Sequence, residues 1–135
     1  MLLDVVILWK KYSLENKVHL IGFIRGDDKV GAYTGAKILA IPSRREAMSI
    51  VALEAGACGT PVILTTECGF DEVKNVGCKV VQPLPDELYS GMHSMFSSSN
   101  ALEAVGKNLR SLILQKYTWK KTAEKYLSIA DSICQ

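Results

Sequence analysis

Two glutamates, Glu46 and Glu54, lie eight residues apart at the two ends of the stretch EAMSIVALE. The stretch reads as a loop entering a helix, between two apolar runs, ILAIP and PVILT, that are typical of buried β-strands. An exposed helix start attracts anions such as phosphate through its free N–H groups and its dipole. Carboxylates beside it can accept hydrogen bonds from sugar hydroxyls. The pattern therefore indicates a site for phosphate and sugar groups.

Glu54 is the one charged residue of a helix whose other members are apolar or small. This composition predicts a largely buried helix, in which a carboxylate needs hydrogen-bond donors to stay ionised. A vicinal diol such as a ribose would supply two donors. A helix end turned to solvent, or an arginine partner, would satisfy the carboxylate equally well, and the residues alone leave both interpretations open.

Glu46 has a simpler interpretation, because Ser43-Arg44-Arg45-Glu46 fits the S-x-x-E capping box. In that motif Glu46 would satisfy the Ser43 amide at a helix start, and the residues alone favour this role over ligand binding. Arg44 and Arg45 are interpreted as solvated charges, with phosphate neutralisation as the lesser alternative.

Apolar strands alternate with helices along the chain. We predict a core-facing helix from Leu2 to Leu14, strands in VHLIGFI, KILAIP, PVILT and KVVQP, and helices over residues 30–34, 49–58, 70–75, 86–97, 101–117 and 118–133. Gly59 should close the helix over residues 49–58. Asp86 and Thr118 should cap the helices 86–97 and 118–133, and SSSN should be a loop. Trp119, Tyr126 and Ile129 read as a packing stripe.

This alternation predicts an α/β fold, a Rossmann-like parallel sheet with helices on both faces. Ligands of such sheets lie beyond the carboxyl ends of the strands. The loops 43–49 and 65–71 both leave strand ends, so we expect them to face one crevice, with the amides of Met48, Ser49 and Ile50 directed into it. The chain has no Walker lysine and no GxGxxG motif.

Length and composition set further limits. The 135 residues suffice for a single domain, and a net charge of +2 gives no field that requires nucleic acid. The four cysteines, at 58, 68, 78 and 134, form no CxxC pair, so we expect reduced thiols, no metal site and no cofactor. Reduced thiols favour a cytoplasmic location. The apolar opening is interrupted by Asp4 and is too short to span a bilayer, which favours a core-facing helix over a targeting segment.

The run PSRREAMSIVALEAGACGTPVI resembles the donor-binding signature of the retaining GT-B glycosyltransferases of family 4, the glycosyl transferases group 1. Glu46, Glu54, Gly59, Thr60 and Pro61 fall on the family's E-x7-E and Gly-Thr-Pro positions without a gap. The resemblance extends over about residues 17–128, through VHLIGFI, CGFDEV, KVVQPLP and YTWKKTAEKYL.

The resemblance implies that a nucleotide sugar is the donor and that transfer retains the anomeric configuration without a metal. Glu46 would contact hydroxyls of the transferred sugar, as the catalytic position, and Glu54 would contact the ribose. The remaining donor-binding residues implied are Met48, Ser49 and Ile50 for the diphosphate, and Gly22, Phe23 and Ile24 near the base.

Two departures from the family pattern shape what we expect of this chain. Ala47-Met48-Ser49 stands where the family often has Gly-Phe-Gly, and the family's basic pair on the opening strand of the domain has no counterpart. We therefore predict that residues 1–135 form an incomplete C-terminal half of a GT-B fold, without the N-terminal acceptor domain and inactive alone. The open sheet edges favour a homodimer, and peripheral membrane association stays open for the full-length protein.

Two alternative functions remain at this stage. One is a nucleotide-sugar-binding or regulatory module that does not turn over its ligand. The other is a GT-B-like epimerase or phosphorylase relative, in which a similar helix binds phosphate for different chemistry. A product assay distinguishes them, because release of free nucleoside diphosphate together with a glycoside excludes the epimerase.

Overall fold

A computed structural model of the chain describes residues 2–97 and 99–133, so the predictions that touch Met1, Ser98 and Cys134 lie outside the described residues. The elements, in chain order, are α1 (Leu2–Lys11), α2 (Gly26–Gly35), β1 (Leu39–Ile41), α3 (Ile50–Ala57), β2 (Val62–Thr65), two 3-10 helices (Thr66–Cys68 and Asp71–Val76), β3 (Lys79–Val81), α4 (Pro85–Phe96), α5 (Ser99–Lys116) and α6 (Trp119–Ile133).

The three strands form one parallel sheet in the order β1, β2, β3. All four residues of the central strand β2 are buried, as expected for a strand covered on both faces. The predicted α/β architecture and the strands in KILAIP, PVILT and KVVQP are therefore confirmed. In the part of the chain that the structure describes, β1 and β3 each leave one edge unpaired.

Helices cover the two faces of the sheet separately. On one face, side chains of α3 and α5 pack on Val62 and Leu64 of β2. On the other face, Ile63 of β2 packs with Met95 of α4 and Leu102 of α5. The alternation of side chains along β2 thus divides the core into two clusters, and the α3 face is the larger.

The end of α3 is fixed by Gly59, as predicted. Gly59 has a φ of +83°, and its N–H donates to the Gly56 carbonyl at 2.9 Å. The Thr60 N–H donates to the Ala55 carbonyl at 3.0 Å, which completes a Schellman motif. This turn sends the chain directly into β2.

The N-terminal prediction is wrong in two respects. VHLIGFI forms no strand: residues 18–25 have no regular structure, and Phe23 is 86% exposed. A strand needs a hydrogen-bonding neighbour, and the described residues provide none here. Helix α1 forms, but Val5, Ile7 and Leu8 on it are exposed, so it does not face the core.

Three expectations about the later helices also need correction. Asp86 is not an N-cap, because α4 begins at Pro85 after Leu84, with Asp86 in its first turn. Residues 99 and 100 of the predicted SSSN loop already belong to α5. The stripe of Trp119, Tyr126 and Ile129 is exposed, although Thr118 caps α6 as predicted, accepting from the Lys121 N–H at 3.2 Å.

Within the described residues, no helix is long and apolar enough to cross a membrane.

Candidate functional site

The loops that follow β1 and β2, which we predicted to face one crevice, lie directly against each other. The Glu46 N–H donates to the Glu67 carbonyl at 3.0 Å. Nearby, Gly69 lies so close to the first loop that a Cβ at this position would be 1.9 Å from the Ala47 carbonyl oxygen. The Thr65 hydroxyl also donates to the Ser43 carbonyl. These contacts fix the first loop immediately before it enters α3.

Ser49, not Ser43, begins the helix. The Ser49 Oγ accepts from the Ala52 N–H at 3.4 Å, and α3 starts at Ile50. Residues 42–49 are not helical, and the Ser43 Oγ instead accepts from the Arg45 N–H within its own turn. The predicted capping box is therefore wrong: Glu46 lies in the loop, not in a first helical turn, and the loop contacts above delay the helix start.

We expect Ser49→Ala to lower the free energy of unfolding by about 1 kcal/mol, the usual cost of losing an N-cap. Ser49 is fully buried, so water cannot replace its hydroxyl as the acceptor for Ala52. Urea denaturation measures the change, with Ser111→Ala as the control because Ser111 is exposed on α5. Equal stability of the two variants would contradict this role.

The amides around the start of α3 have no partner within the described part of the protein. Among the described residues, no carbonyl or side chain accepts a hydrogen bond from the N–H groups of Met48, Ser49 or Ile50. Ile50 is 68% exposed and Met48 is half-buried, whereas Ser49 has no exposed surface. The start of the helix thus carries free donors and the positive end of the helix dipole.

Glu54 lies one turn further along α3 and is held by α2. Its Oε1 is 2.7 Å from the Lys29 ammonium, and its Oε2 accepts from the Tyr33 hydroxyl at 2.8 Å. The side chain is about one third exposed, with a relative accessibility of 35%. A basic side chain therefore pairs with this carboxylate, as in the interpretation that gave it an arginine partner. The partner is a lysine and not an arginine.

These contacts keep Glu54 ionised. The hydrogen bond from Lys29, followed by that from Tyr33, lowers the pKa of the Glu54 carboxyl below its ordinary value. Burial, together with the hydrogen bond to this carboxylate, raises the pKa of Tyr33 to about 12, so the phenol remains a donor at neutral pH. The carboxylate is thus a permanent acceptor near pH 7.

A cavity of about 540 Å³ runs along the exposed side of α3. Ile50 and Glu54 border it from α3, and Tyr117 and Trp119 border it from the α5–α6 corner. We predicted a largely buried helix, and Ala52, Ala55 and Gly56 do face the core, but Ile50 and Val51 are exposed. The helix start and the carboxylate share this opening.

The other predicted residues are not among those that border this cavity. Glu46 is half-buried in the loop before α3. Gly22, Phe23 and Ile24 form an irregular segment directly before Arg25 and α2. Arg44 borders a smaller cavity of about 200 Å³ at the carboxyl ends of the strands. In the described part of the chain, no three His, Cys, Asp or Glu side chains form a group that could hold a metal ion.

Sequence reasoning missed Lys29 and Tyr33. The two residues are four positions apart, so they share one face of α2, and this spacing was readable in the sequence. Nothing in the sequence showed which helix that face would meet.

A further glutamate, Glu72, links two parts of the fold. Its carboxylate accepts from the Tyr117 hydroxyl at 2.5 Å and from Lys116, which ties the 3-10 helix 71–76 to the end of α5. The Tyr117 ring also packs edge-on against Phe70, with ring centroids 5.0 Å apart. This cluster supports one wall of the cavity.

Solved structures show which class of fold this is. The chain superposes on sucrose-phosphate synthase from Thermosynechococcus elongatus with a TM-score of 0.85 and 24% identity, over 96% of this chain and 33% of that one. It superposes on the C-terminal domain of a glycosyl transferase group 1 family protein from Francisella tularensis with a TM-score of 0.74 and 22% identity, over 86% and 62% of the two chains. The fold is that of the C-terminal half of a GT-B glycosyltransferase.

Residues 5–112 match the sequence model of the family described as "Glycosyl transferases group 1", and the chain belongs to that family. An uncharacterized glycosyltransferase of Methanocaldococcus jannaschii is 31% identical over 120 residues, which are 87% of this chain and 31% of the relative. The phosphatidylinositol N-acetylglucosaminyltransferase gpi3 subunit of Schizosaccharomyces pombe is 28% identical over 133 residues, 98% of this chain and 29% of the relative. The chain thus spans less than a third of the length of these relatives.

Proposed function

We propose that the chain is the donor-binding part of a retaining glycosyltransferase and that it binds a nucleoside diphosphate sugar at the start of α3. The observation that carries this proposal is the combination of unpartnered amides at residues 48–50 with the ionised Glu54 on the same helix. The membership of glycosyl transferases group 1 supports it.

In this proposal the diphosphate lies at the helix start, where it accepts hydrogen bonds from the unpartnered amides of residues 48–50. Met48 and Ile50 carry exposed surface there, whereas Ser49 is fully buried. The helix dipole then stabilises the negative charge that grows on the departing nucleoside diphosphate, without a metal ion. Interactions that strengthen as this charge grows accelerate transfer.

The two glutamates have separate parts in this proposal. Glu54 accepts hydrogen bonds from the ribose hydroxyls, and Glu46 contacts hydroxyls of the transferred sugar. Gly22, Phe23 and Ile24 lie near the base. The chain binds the donor, and transfer requires an acceptor domain of the kind that the resemblance implies.

We expect Glu54→Ala to weaken nucleoside diphosphate affinity by about tenfold or more, since hydrogen bonds to a charged group contribute roughly 1.5 to 3 kcal/mol. Glu46→Ala should leave that affinity unchanged and remove the difference between a nucleotide sugar and the bare diphosphate. Calorimetry with UDP, GDP, ADP and their glucose conjugates measures both effects. Equal loss of bare diphosphate affinity in the two variants would contradict the separate roles.

The second candidate is a nucleotide-sugar-binding module without turnover. It is kept because the free amides at the start of α3 and the Glu54 carboxylate serve binding and do not by themselves require turnover. This module would bind the donor equally well and release no nucleoside diphosphate when an acceptor domain is added. Homodimerisation and a cytoplasmic location stay predictions.

A further inference from the structure

We propose that Lys29 and Tyr33 of α2 are positioning residues of the donor site, which hold the Glu54 carboxylate in the orientation that receives the ribose. This inference rests on the proposed function. Lys29 contacts Oε1 at 2.7 Å and Tyr33 contacts Oε2 at 2.8 Å, so each oxygen has one partner from the same helix.

The carboxylate keeps free capacity in this arrangement. A carboxylate offers about four acceptor directions, two on each oxygen. With one direction on each oxygen used, one more on each remains for the two hydroxyls of a vicinal diol. A glutamate that is held at both oxygens has also lost most of its rotamer freedom before the ligand arrives, which reduces the entropic cost of binding.

Tyr33 is itself fixed to the domain. Its carbonyl accepts from the Thr60 hydroxyl at 2.6 Å, and its ring packs against the larger core cluster. No residue of α2 is fully buried, so few apolar contacts place this helix. The Tyr33 and Lys29 contacts therefore do much to hold α2 against α3.

The charges around Glu54 make the inference testable by pH. Lys29 and Tyr33 face it from α2, Cys58 is the C-cap residue of α3, and Tyr117, just after α5, borders the same cavity. Because Lys29 lowers the pKa of Glu54, its removal should raise that pKa toward the ordinary value. An ionised Glu54 is the better acceptor, so ligand affinity should fall as the pH drops through the pKa of Glu54. Without Lys29 this fall in affinity should occur at a higher pH.

The experiment uses Lys29→Met, Lys29→Arg and Tyr33→Phe in the full 135-residue chain. Carbon-13 NMR of the glutamate carboxyls measures the pKa of Glu54 in the free protein, and calorimetry with UDP, GDP and ADP between pH 4 and 8 measures affinity. We expect Lys29→Met to raise the pKa of Glu54 and to weaken affinity about tenfold at neutral pH. Lys29→Arg should restore most of the affinity, and Tyr33→Phe should weaken it by a few fold.

Lys107→Met is the matched control. Lys107 forms an exposed ion pair with Glu103 at 2.6 Å on α5, away from Glu54, and its loss should change neither measurement. The inference is overturned if Lys29→Met leaves the pKa of Glu54 and the nucleotide affinity unchanged, or if Lys107→Met has the same effect. If the unaltered chain binds none of the three nucleotides, the proposed function fails, and the NMR titration alone then decides whether Lys29 controls Glu54.

Discussion

Replacing Gly69 with alanine is expected to lower the free energy of unfolding by roughly 3 kcal/mol or more, the sum of backbone strain and an overpacked contact. Gly69 has a φ of +60°, which a side chain disfavours, and its added Cβ would lie 1.9 Å from the Ala47 carbonyl oxygen. The atom in the way belongs to the backbone, so a side-chain rotation cannot relieve the contact. Urea denaturation followed by circular dichroism measures the loss.

Gly59→Ala separates the two causes. Gly59 also has a positive φ, +83°, but nothing lies within 4 Å of its would-be Cβ. It should therefore lose only about 1 kcal/mol, from backbone strain. Equal destabilisation by the two substitutions would show that the loops after β1 and β2 do not touch as described. Because the Gly69 contact also places Ala47, the Gly69 variant should bind nucleotide more weakly wherever it remains folded.

The sequence was informative where local chemistry decides the structure. The apolar run PVILT becomes the buried strand β2, and Gly59 closes α3, because each depends on the residues themselves and on the chain close by. The two loops meet for a topological reason, since parallel neighbouring strands end at the same edge of a sheet. These features required no knowledge of distant contacts.

The predictions failed where a distant partner decides the structure. The β-favouring run VHLIGFI remains irregular because no described strand pairs with it. The helical spacing of Trp119, Tyr126 and Ile129 correctly gives one apolar face, but no described element covers it, and these side chains are exposed. Periodicity shows that a face is apolar and does not show what covers it.

The candidate site illustrates the same division. The position of Glu54 on a helix was predictable from its spacing, whereas its pairing with Lys29 and Tyr33 depends on how α2 docks on α3. The capping box was a wrong prediction for a related reason. Ser43 and Glu46 have the right spacing, but contacts with the loop after β2 delay the helix until Ser49.

Leu109→Ala should lower the free energy of unfolding by roughly 2 to 5 kcal/mol, the range for deleting a fully buried leucine side chain. Leu109 has no exposed surface, and a Cβ added at Gly56 would be 2.9 Å from its Cγ, so the leucine lies directly against the backbone of α3. The absence of a side chain at Gly56 lets α5 pack this closely, and α5 in turn supports the helix that carries Glu54.

The matched control for stability alone is Leu114→Ala on the same helix, where the side chain borders the cavity, is 49% exposed, and should lose less than about 1 kcal/mol. If α5 supports the site, Leu109→Ala should also weaken nucleotide binding in conditions where the variant is still folded, although Leu109 does not border the cavity. A fully stable Leu109 variant would contradict the packing described for α3. A destabilised variant with undiminished affinity would show instead that the start of α3 keeps its geometry without support from α5.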